Sequence, residues 1–532
     1  MLKTSERKAV IPTLRWSIAM IEHLFGHVFY LLILVSFALL LPVDAFQHDS
    51  ANFIFVIGVV ASWRYLWAVQ HYVRALIYLY FKFPYLRWKV QQGGDDLNPS
   101  HVFLIVTSFR VDAFITARVY RAIILDAIDC GVPTTIIASV VEHADTRLMK
   151  KIFHNLEPPA HITLKIVRIA GTGKRDGLAA AFRAVSSTPV DKKDAVVSVI
   201  DGDSIMNIGC TKSCFRFFKL NPNLGALTTN EECILEGDHP SIDIYRNWYS
   251  LRFAQRHEYM ASISLSNRVM TLTGRMSMFR ASIICEPEFI DRIECDYVDH
   301  WRLGRFRFLT GDDKSSWYHV IKNGWDMLYI PDEAAMVYTV EEPPRKNFLV
   351  GALVLMRRWF GNMLRTNARA RKIPMHITGI YVWWVLRDQL LSIWTALFGL
   401  SLAILGTLKY GPGMTLLFIF WILFTRYTLT LFLSSLRNGK FSVSWPLLLY
   451  FNQAVGSIVK VYILHHLYRQ SWTRQNTKLK DNKTAWSQLI RSYGSNMVMY
   501  SSILIFIVGM GFLADLFTAN DVSNLLYLLG IY

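Results

Sequence analysis

The sequence predicts a mostly parallel α/β sheet with covering helices, inserted between amino-terminal and carboxy-terminal transmembrane helices. Three observations predict it. Apolar stretches long enough to cross a bilayer cluster at the two ends and are absent between about residues 83 and 375. Within that middle stretch, short β-branched runs alternate with helical patterns, as in a series of βαβ units. One run, 195–200, is apolar but for Ser198, as suits a strand covered on both faces, and it is closed by Asp201-Gly202-Asp203.

The chain has 532 residues, more than one core organises, and 52% are hydrophobic against 18% charged, which fits an integral membrane protein with a soluble insert. Spans are expected at 24–41 and 53–70, then at 390–408, 414–433 and 497–517. They divide the chain into a membrane region 1–82, a soluble domain 83–375 and a second membrane region 376–532. Lys3, Arg7, Lys8 and Arg15 precede the first span while Asp44 and Asp49 follow it, so the amino terminus is expected in the cytoplasm, and two crossings return the domain there. No small-residue cleavage site follows the first apolar segment, so a removable signal peptide is not expected.

The segment 445–468 is apolar but carries Asn452, Gln453 and Lys460. If it crossed, Arg469, Arg474, Lys478, Lys480, Lys483 and Arg491 would face outward, against the positive-inside bias. An interfacial or re-entrant helix is therefore expected, giving five spans and an outward carboxyl terminus.

A formal charge of +17 is accounted for by basic cytoplasmic segments; no nucleic-acid motif accompanies it, and nucleic acid is excluded as a partner. The six cysteines, at 130, 210, 214, 233, 285 and 295, form no Cys-x-x-Cys pair and read as reduced thiols. In the middle domain, a strand is expected at 101–107, a helix at 118–128, strands at 134–141 and 162–168 and a helix at 177–185, followed by the strand 195–200. Ligands of open α/β sheets bind beyond the carboxyl ends of such strands, which is where Asp201 and Asp203 stand. With one residue between them, their carboxylates can share a hard divalent cation that also grips a diphosphate; the competing reading is a solvated turn.

Gly173-Lys174-Arg175, Asp201-Gly202-Asp203, Thr273-Gly274 with Phe279-Arg280, Thr310-Gly311-Asp312-Asp313 and Arg358-Trp359 together resemble the motif set of the membrane-embedded, processive family-2 glycosyltransferases, the group of cellulose, chitin and hyaluronan synthases. The resemblance spans nearly the whole chain. The longer strings Gly171–Gly177, Thr271–Arg280, Arg358–Asn362 and Gln470–Gln475 are similar to the alginate-polymerising branch of that family. The resemblance implies a GT-A catalytic domain, an inverting β-1,4 polymerase of mannuronate that uses GDP-mannuronate, binds Mg2+ or Mn2+ and passes the growing polymannuronate chain across the bacterial inner membrane. It also implies a separate PilZ-type cyclic di-GMP receptor, since no such module follows the last expected span; the basic segment 469–495 is the expected docking face. A related synthase using a UDP-sugar, and a non-processive enzyme that loads a lipid phosphate, are the alternatives.

The residues carry these expectations in detail. Inverting transfer needs a base for the attacking hydroxyl, assigned to Asp313, and a clamp on the leaving diphosphate, assigned to Asp203 and Asp201 with the cation. Asp312 orients Asp313 or contacts the cation's outer shell; the competing reading has Gly311-Asp312-Asp313 capping a helix that starts near Lys314. Lys174 and Arg175 follow a glycine turn and open a helix, where cations and backbone N–H groups meet phosphate together. Arg358 offers a planar fork for diphosphate and Trp359 a flat face for the sugar at the growing end, unless it is an interface anchor. Thr273 and Gly274 belong to the acceptor loop, and Ser108 to the nucleotide side.

Two positions depart from the family pattern. Leu355 stands where its Gln-x-x-Arg-Trp motif has glutamine, and 141–145 replaces its acidic base-binding stretch, leaving Glu142 or Asp145 to hold the nucleobase, where a guanine would present donors. In the membrane region, Arg387 beside Asp388, and Arg426, interrupt apolar spans and either line a path for a polyanion or close an intramembrane salt bridge. Trp472-Thr473-Arg474 resembles the gating segment of hyaluronan synthases, one residue shorter.

Overall fold

A computed structural model describes residues 12–41, 51–108, 111–171, 173–237, 240–470 and 485–514, and a few isolated positions beyond them. The strands, in chain order, are β1 (His101–Ser108), β2 (Thr134–Val140), β3 (Ile162–Arg168), β4 (Ala195–Asp201), β5 (Ser204–Met206), β6 (Leu224–Thr229), β7 (Glu231–Leu235), β8 (Met276–Arg280), β9 (Tyr297–His300), β10 (Gly304–Arg307), β11 (Asp326–Ile330) and β12 (Val337–Glu341). Seven of them form the main sheet in the order β11-β6-β8-β4-β1-β2-β3. β4, β1, β2 and β3 run parallel, and β8 enters antiparallel between β4 and β6. β2 is buried along its whole length and β4 everywhere but its last residue, so their apolar continuity is the mark of strands covered on both faces.

The covering helices follow from sequence. Asp112 caps the helix Ala113–Cys130, its carboxylate accepting from the Phe114 N–H at 2.8 Å, and that helix buries Ile115, Val119, Ile123 and Ala127 at helical spacing. The helix Lys174–Ser186 buries Leu178, Ala181, Phe182 and Val185 in the same manner. Both belong to a compact unit formed by Val69–Ile393 and Ile458–Ser501. A second unit gathers Met1–Ala68, Trp394–Ser457 and Ser502–Tyr532. Within it, Leu402, Met414, Met510 and Ala514 pack together, and Tyr30 stacks on Tyr427 at 5.2 Å between ring centroids.

Among the described residues four helices are long and apolar enough to cross a membrane: Ile380–Tyr410, Gly413–Ser435, Trp445–His465 and Trp486–Leu513. Leu24–Leu40 is a shorter apolar helix, and a helix also covers Ala51–Ile77. Trp445–His465 differs from the other three in one respect: 44% of its apolar window is buried against protein, twice the 22% of its nearest competitors. Its carboxyl end belongs to the unit that holds the sheet, where Lys460 lies 4.8 Å from the Phe360 ring.

Candidate active site

The carboxyl ends of β1 and β4 meet closely. A Cβ at Gly202 would lie 2.5 Å from the Thr107 carbonyl oxygen and 3.1 Å from Ser108 Cα, so only glycine lets the turn pass. That contact sets Asp201 and Asp203 at the rim of a cavity of about 260 Å³. Asp203 is fixed at the backbone, its carbonyl accepting from Val340 N of β12 at 2.8 Å.

Lys174 joins two motifs that lie far apart in the chain. Its Nζ is 2.6 Å from Asp201 Oδ1 and 2.9 Å from Asp312 Oδ2. Gly173, at φ +149°, delivers the chain into the helix that carries the lysine. Gly274 is needed for room instead: a Cβ there would stand 2.8 Å from both Lys174 Nζ and Asp201 Oδ2. Burial opposes the Lys174 charge, yet Asp201 and then Asp312 reverse the effect, and its pKa is raised. Asp201 is pushed up by burial more than Lys174 draws it down. For Asp312, burial is outweighed by Lys174 and Arg175, and its carboxyl is held below the usual range. Asp313 goes the other way, raised by burial and then by the Asp312 charge. Neighbouring carboxylates whose pKa values are driven apart suit different tasks, one ionised partner and one proton acceptor.

The cavity is lined by Ser108, Lys174, Asp201, Asp203, Thr273, Gly274, Asp312, Asp313, Arg358 and Trp359, so it gathers most of the residues the motifs single out. Asp312 and Asp313 open the helix Asp312–Lys322, with Gly311 at φ +90° as its cap residue, so the triplet does stand at a helix start, two residues earlier than the capping alternative has it and with no side-chain cap bond. Arg175 also reaches the lining, but its guanidinium donates to the carbonyls of Ile293 (2.8 Å) and Thr310 (3.2 Å) and to Ser315 Oγ (3.0 Å). The expectation that it meets phosphate is corrected accordingly: buried and committed to these oxygens, Arg175 braces the turn that leads into Asp312.

On the nucleotide side, Ser108 Oγ stands 3.4 Å from Asp145 Oδ2, and Asp145 is partly buried while Glu142 is exposed. Burial and then Glu142 raise the Asp145 pKa. Thr273 Oγ1 donates to the fully buried Glu231, which also pairs with Arg256 at 3.0 Å and Arg275 at 3.1 Å. Trp359 packs 5.5 Å from Trp248 and 6.2 Å from Tyr249, centroid to centroid. Leu355 is 2% exposed and does not line the cavity, so its replacement of a polar family residue removes no group from the site wall.

Arg387 and Arg426 are not among the residues that line the cavity. Arg387 donates to the Trp383 carbonyl at 3.0 Å and lies 3.3 Å over the Trp383 ring, while Arg426 donates to Tyr65 Oη at 2.7 Å. Trp472 and Arg474 lie outside the described residues. Three residues given no role from sequence brace the catalytic turn: Asn362 Oδ1 accepts from Thr310 Oγ1 and from Arg365, each at 2.8 Å, and Gln470 accepts from Leu309 N (3.0 Å) and donates to the Arg307 carbonyl (2.8 Å). Asn362 and Gln470 lie in the family-like strings 358–362 and 470–475, which was the only signal for them, because their partners are distant in sequence.

Among the described residues no three His, Cys, Asp or Glu side chains come together as a self-sufficient metal site. The donors at the rim are nonetheless hard carboxylate oxygens, Asp203 and Asp201, and one or two carboxylates suffice for a Mg2+-type cation when substrate phosphates and water complete its shell.

Comparison with known proteins bears on the whole chain. Residues 99–362 match the family model described as "Glycosyltransferase like family 2". A protein named glycosyltransferase alg8 from Pseudomonas syringae pv. tomato is 47% identical over 482 residues, covering 91% of this chain and 96% of that one. Its namesake from Azotobacter vinelandii is 44% identical over 486 residues, with the same coverage of 91% and 96%. Among solved structures, the mannosyltransferase PcManGT from Pyrobaculum calidifontis, in complex with GDP-Man and Mn2+, aligns at 13% identity and a TM-score of 0.39, covering 75% of this chain and 98% of that one.

Proposed function

The chain belongs to the family-2 glycosyltransferases, with a GT-A catalytic domain, and from that premise we propose that it polymerises mannuronate from GDP-mannuronate through inverting β-1,4 transfer and passes the polymer across the bacterial inner membrane. The observation that carries the reading is the meeting of Asp201, Lys174 and Asp312 within hydrogen-bond distance, in one cavity with Asp203, Asp313, Arg358 and Trp359.

In the reaction, the hydroxyl at the chain end attacks the anomeric carbon of the donor as the bond to the diphosphate breaks. Asp313 takes the hydroxyl proton; its raised pKa matches it to that task, and Asp312, kept ionised by Lys174, sustains the shift. Asp203 and Asp201 would hold Mg2+ or Mn2+, whose contribution is to offset charge on the departing diphosphate. Arg358 adds its guanidinium fork to the same oxygens, and Lys174 keeps Asp201 and Asp312 in register. Trp359 gives the acceptor sugar an apolar face, so that its hydroxyl stays near Asp313. Asp145, held by Ser108, is the better placed of the two acids for the nucleobase.

Trp359 on the cavity wall favours a polymer acceptor over a lipid phosphate. The catalytic domain is assigned to the cytoplasm, where nucleotide sugars are made, and a separate PilZ-type receptor to the basic stretch 469–495. The test is polymer formation by the purified protein in lipid nanodiscs given GDP-mannuronate, UDP-glucose and UDP-glucuronate in parallel. Polymer from GDP-mannuronate alone is expected; polymer from a UDP donor alone would remove the proposed substrate and leave the fold assignment standing.

A further inference from the structure

The helix Ile242–Ser264 carries three arginines, Arg246, Arg252 and Arg256, and their charges are not evenly matched. Arg256 and the nearby Arg275 both pair with Glu231, at 3.0 and 3.1 Å, and Glu341 lies 3.9 Å from Arg275. Arg246 pairs with Asp243 at the exposed start of the helix. Arg252 has no hydrogen bond or ion pair among the described residues. Its guanidinium lies 3.9 Å over the Trp359 ring and 5.3 Å from the Trp248 ring. Its five N–H donors thus have no protein partner among the described residues, in a partly buried, aromatic-walled position still open to solvent, one ring removed from the cavity that Trp359 lines.

Such a group has a defined appetite. Burial, and then the Arg275 charge, lower its pKa to about 10, which measures how poorly its own surroundings compensate the cation. Stacking on tryptophan fixes the plane of the fork while leaving its edge free, the arrangement that receives a carboxylate through two parallel bonds. A neutral hexose acceptor offers this cation only hydroxyls, whereas a uronate chain brings one carboxylate with every sugar.

We propose that Arg252 receives the carboxylate of a uronate unit in the growing chain as the chain end stacks on Trp359, making Arg252 a determinant of selectivity for acidic acceptors. This rests on the reading of the product as a polyuronate, and the test separates the two. Binding of a mannuronate tetrasaccharide, and of the same tetrasaccharide with its carboxyls reduced to alcohols, is measured on the detergent-solubilised full chain without donor. The wild type is expected to favour the acidic form. Arg252→Gln is expected to weaken that form about tenfold or more, in line with loss of a charge-assisted pair, while the reduced form is unaffected, and Arg252→Lys is expected to restore part of the difference. Thermal unfolding of each variant checks that it is folded.

Equal weakening of both tetrasaccharides by Arg252→Gln would mean that Arg252 merely holds the Trp359 ring, and would overturn the inference; so would an unchanged preference for the acidic form. Donor choice is read separately in the polymer assay, so an error in the donor shows there and an error about Arg252 shows in binding.

Discussion

At the scale of single residues, the site is held by contacts that leave no spare room. Gly274→Ala places a methyl 2.8 Å from Lys174 Nζ and Asp201 Oδ2, so the ion pair must open or the loop must shift. A displacement of this order is expected to cost about 10²-fold in kcat while the protein stays folded, measured by steady-state polymer synthesis beside circular dichroism. The same geometry fixes a pH dependence. Asp313 must be ionised to accept a proton, and burial with the Asp312 charge raises its pKa; activity therefore falls as pH drops through a value above the ordinary aspartate figure of about 3.9. A pH profile of kcat/KM should show this acid limb; a profile flat down to the ordinary aspartate range would contradict the assignment of Asp313 as the base.

At the scale of elements, the sequence revealed strands better than their order. The β-branched runs at 101–107, 134–141 and 195–200 signalled buried strands because little polar had to face water along them, while 162–168, which carries Lys165 and Arg168, forms the half-exposed edge strand β3; each run lies on an observed strand. The antiparallel insertion of β8 between β4 and β6 was not legible, since Met276–Arg280 is short and its partners are set by tertiary packing. The paired carboxylates and glycine turns were legible because the chemistry needs those residue types close together in sequence. Arg175 was not: its local pattern suits phosphate, and only the fold shows the Ile293 and Thr310 carbonyls waiting for it. Gln470 belongs to the same class of long-range contact, standing in for a strand partner of Arg307 and Leu309. Gln470→Ala removes both bonds, at about 1–3 kcal/mol of local stability, and amide hydrogen exchange at Leu309 is expected to accelerate; unchanged exchange would show that the bonds do not brace the turn.

At the scale of the whole molecule, the course of the chain bears on membrane topology. The chain leaves the sheet-bearing unit along Ile380–Tyr410 and turns back along Gly413–Ser435. Trp445–His465 then rejoins that unit, and Gln470 bonds to Leu309. If Ile380–Tyr410 and Gly413–Ser435 cross and return, a further crossing at Trp445–His465 would need Gln470 to meet Leu309 from the opposite face, since the short link 436–444 cannot cross lipid as unpaired backbone. By length and composition Trp445–His465 could itself cross; we propose instead an interfacial course for it, which, with crossings at Leu24–Leu40 and Ala51–Ile77, would give five in all. Reporter fusions should therefore place the two termini on opposite sides of the membrane; termini on the same side would require Trp445–His465 to span.

Acids far apart in the chain, Asp201 and Asp203 with Asp312 and Asp313, meet in one cavity, and the proposed reaction has Asp313 as its base. The most direct measurement compares Asp313→Asn with the unaltered protein in nanodiscs, following polymer formation and donor binding together. Polymer synthesis should fall by at least about 10²-fold, the share a positioned base supplies, while donor binding persists. Retained synthesis by the folded variant would contradict the account.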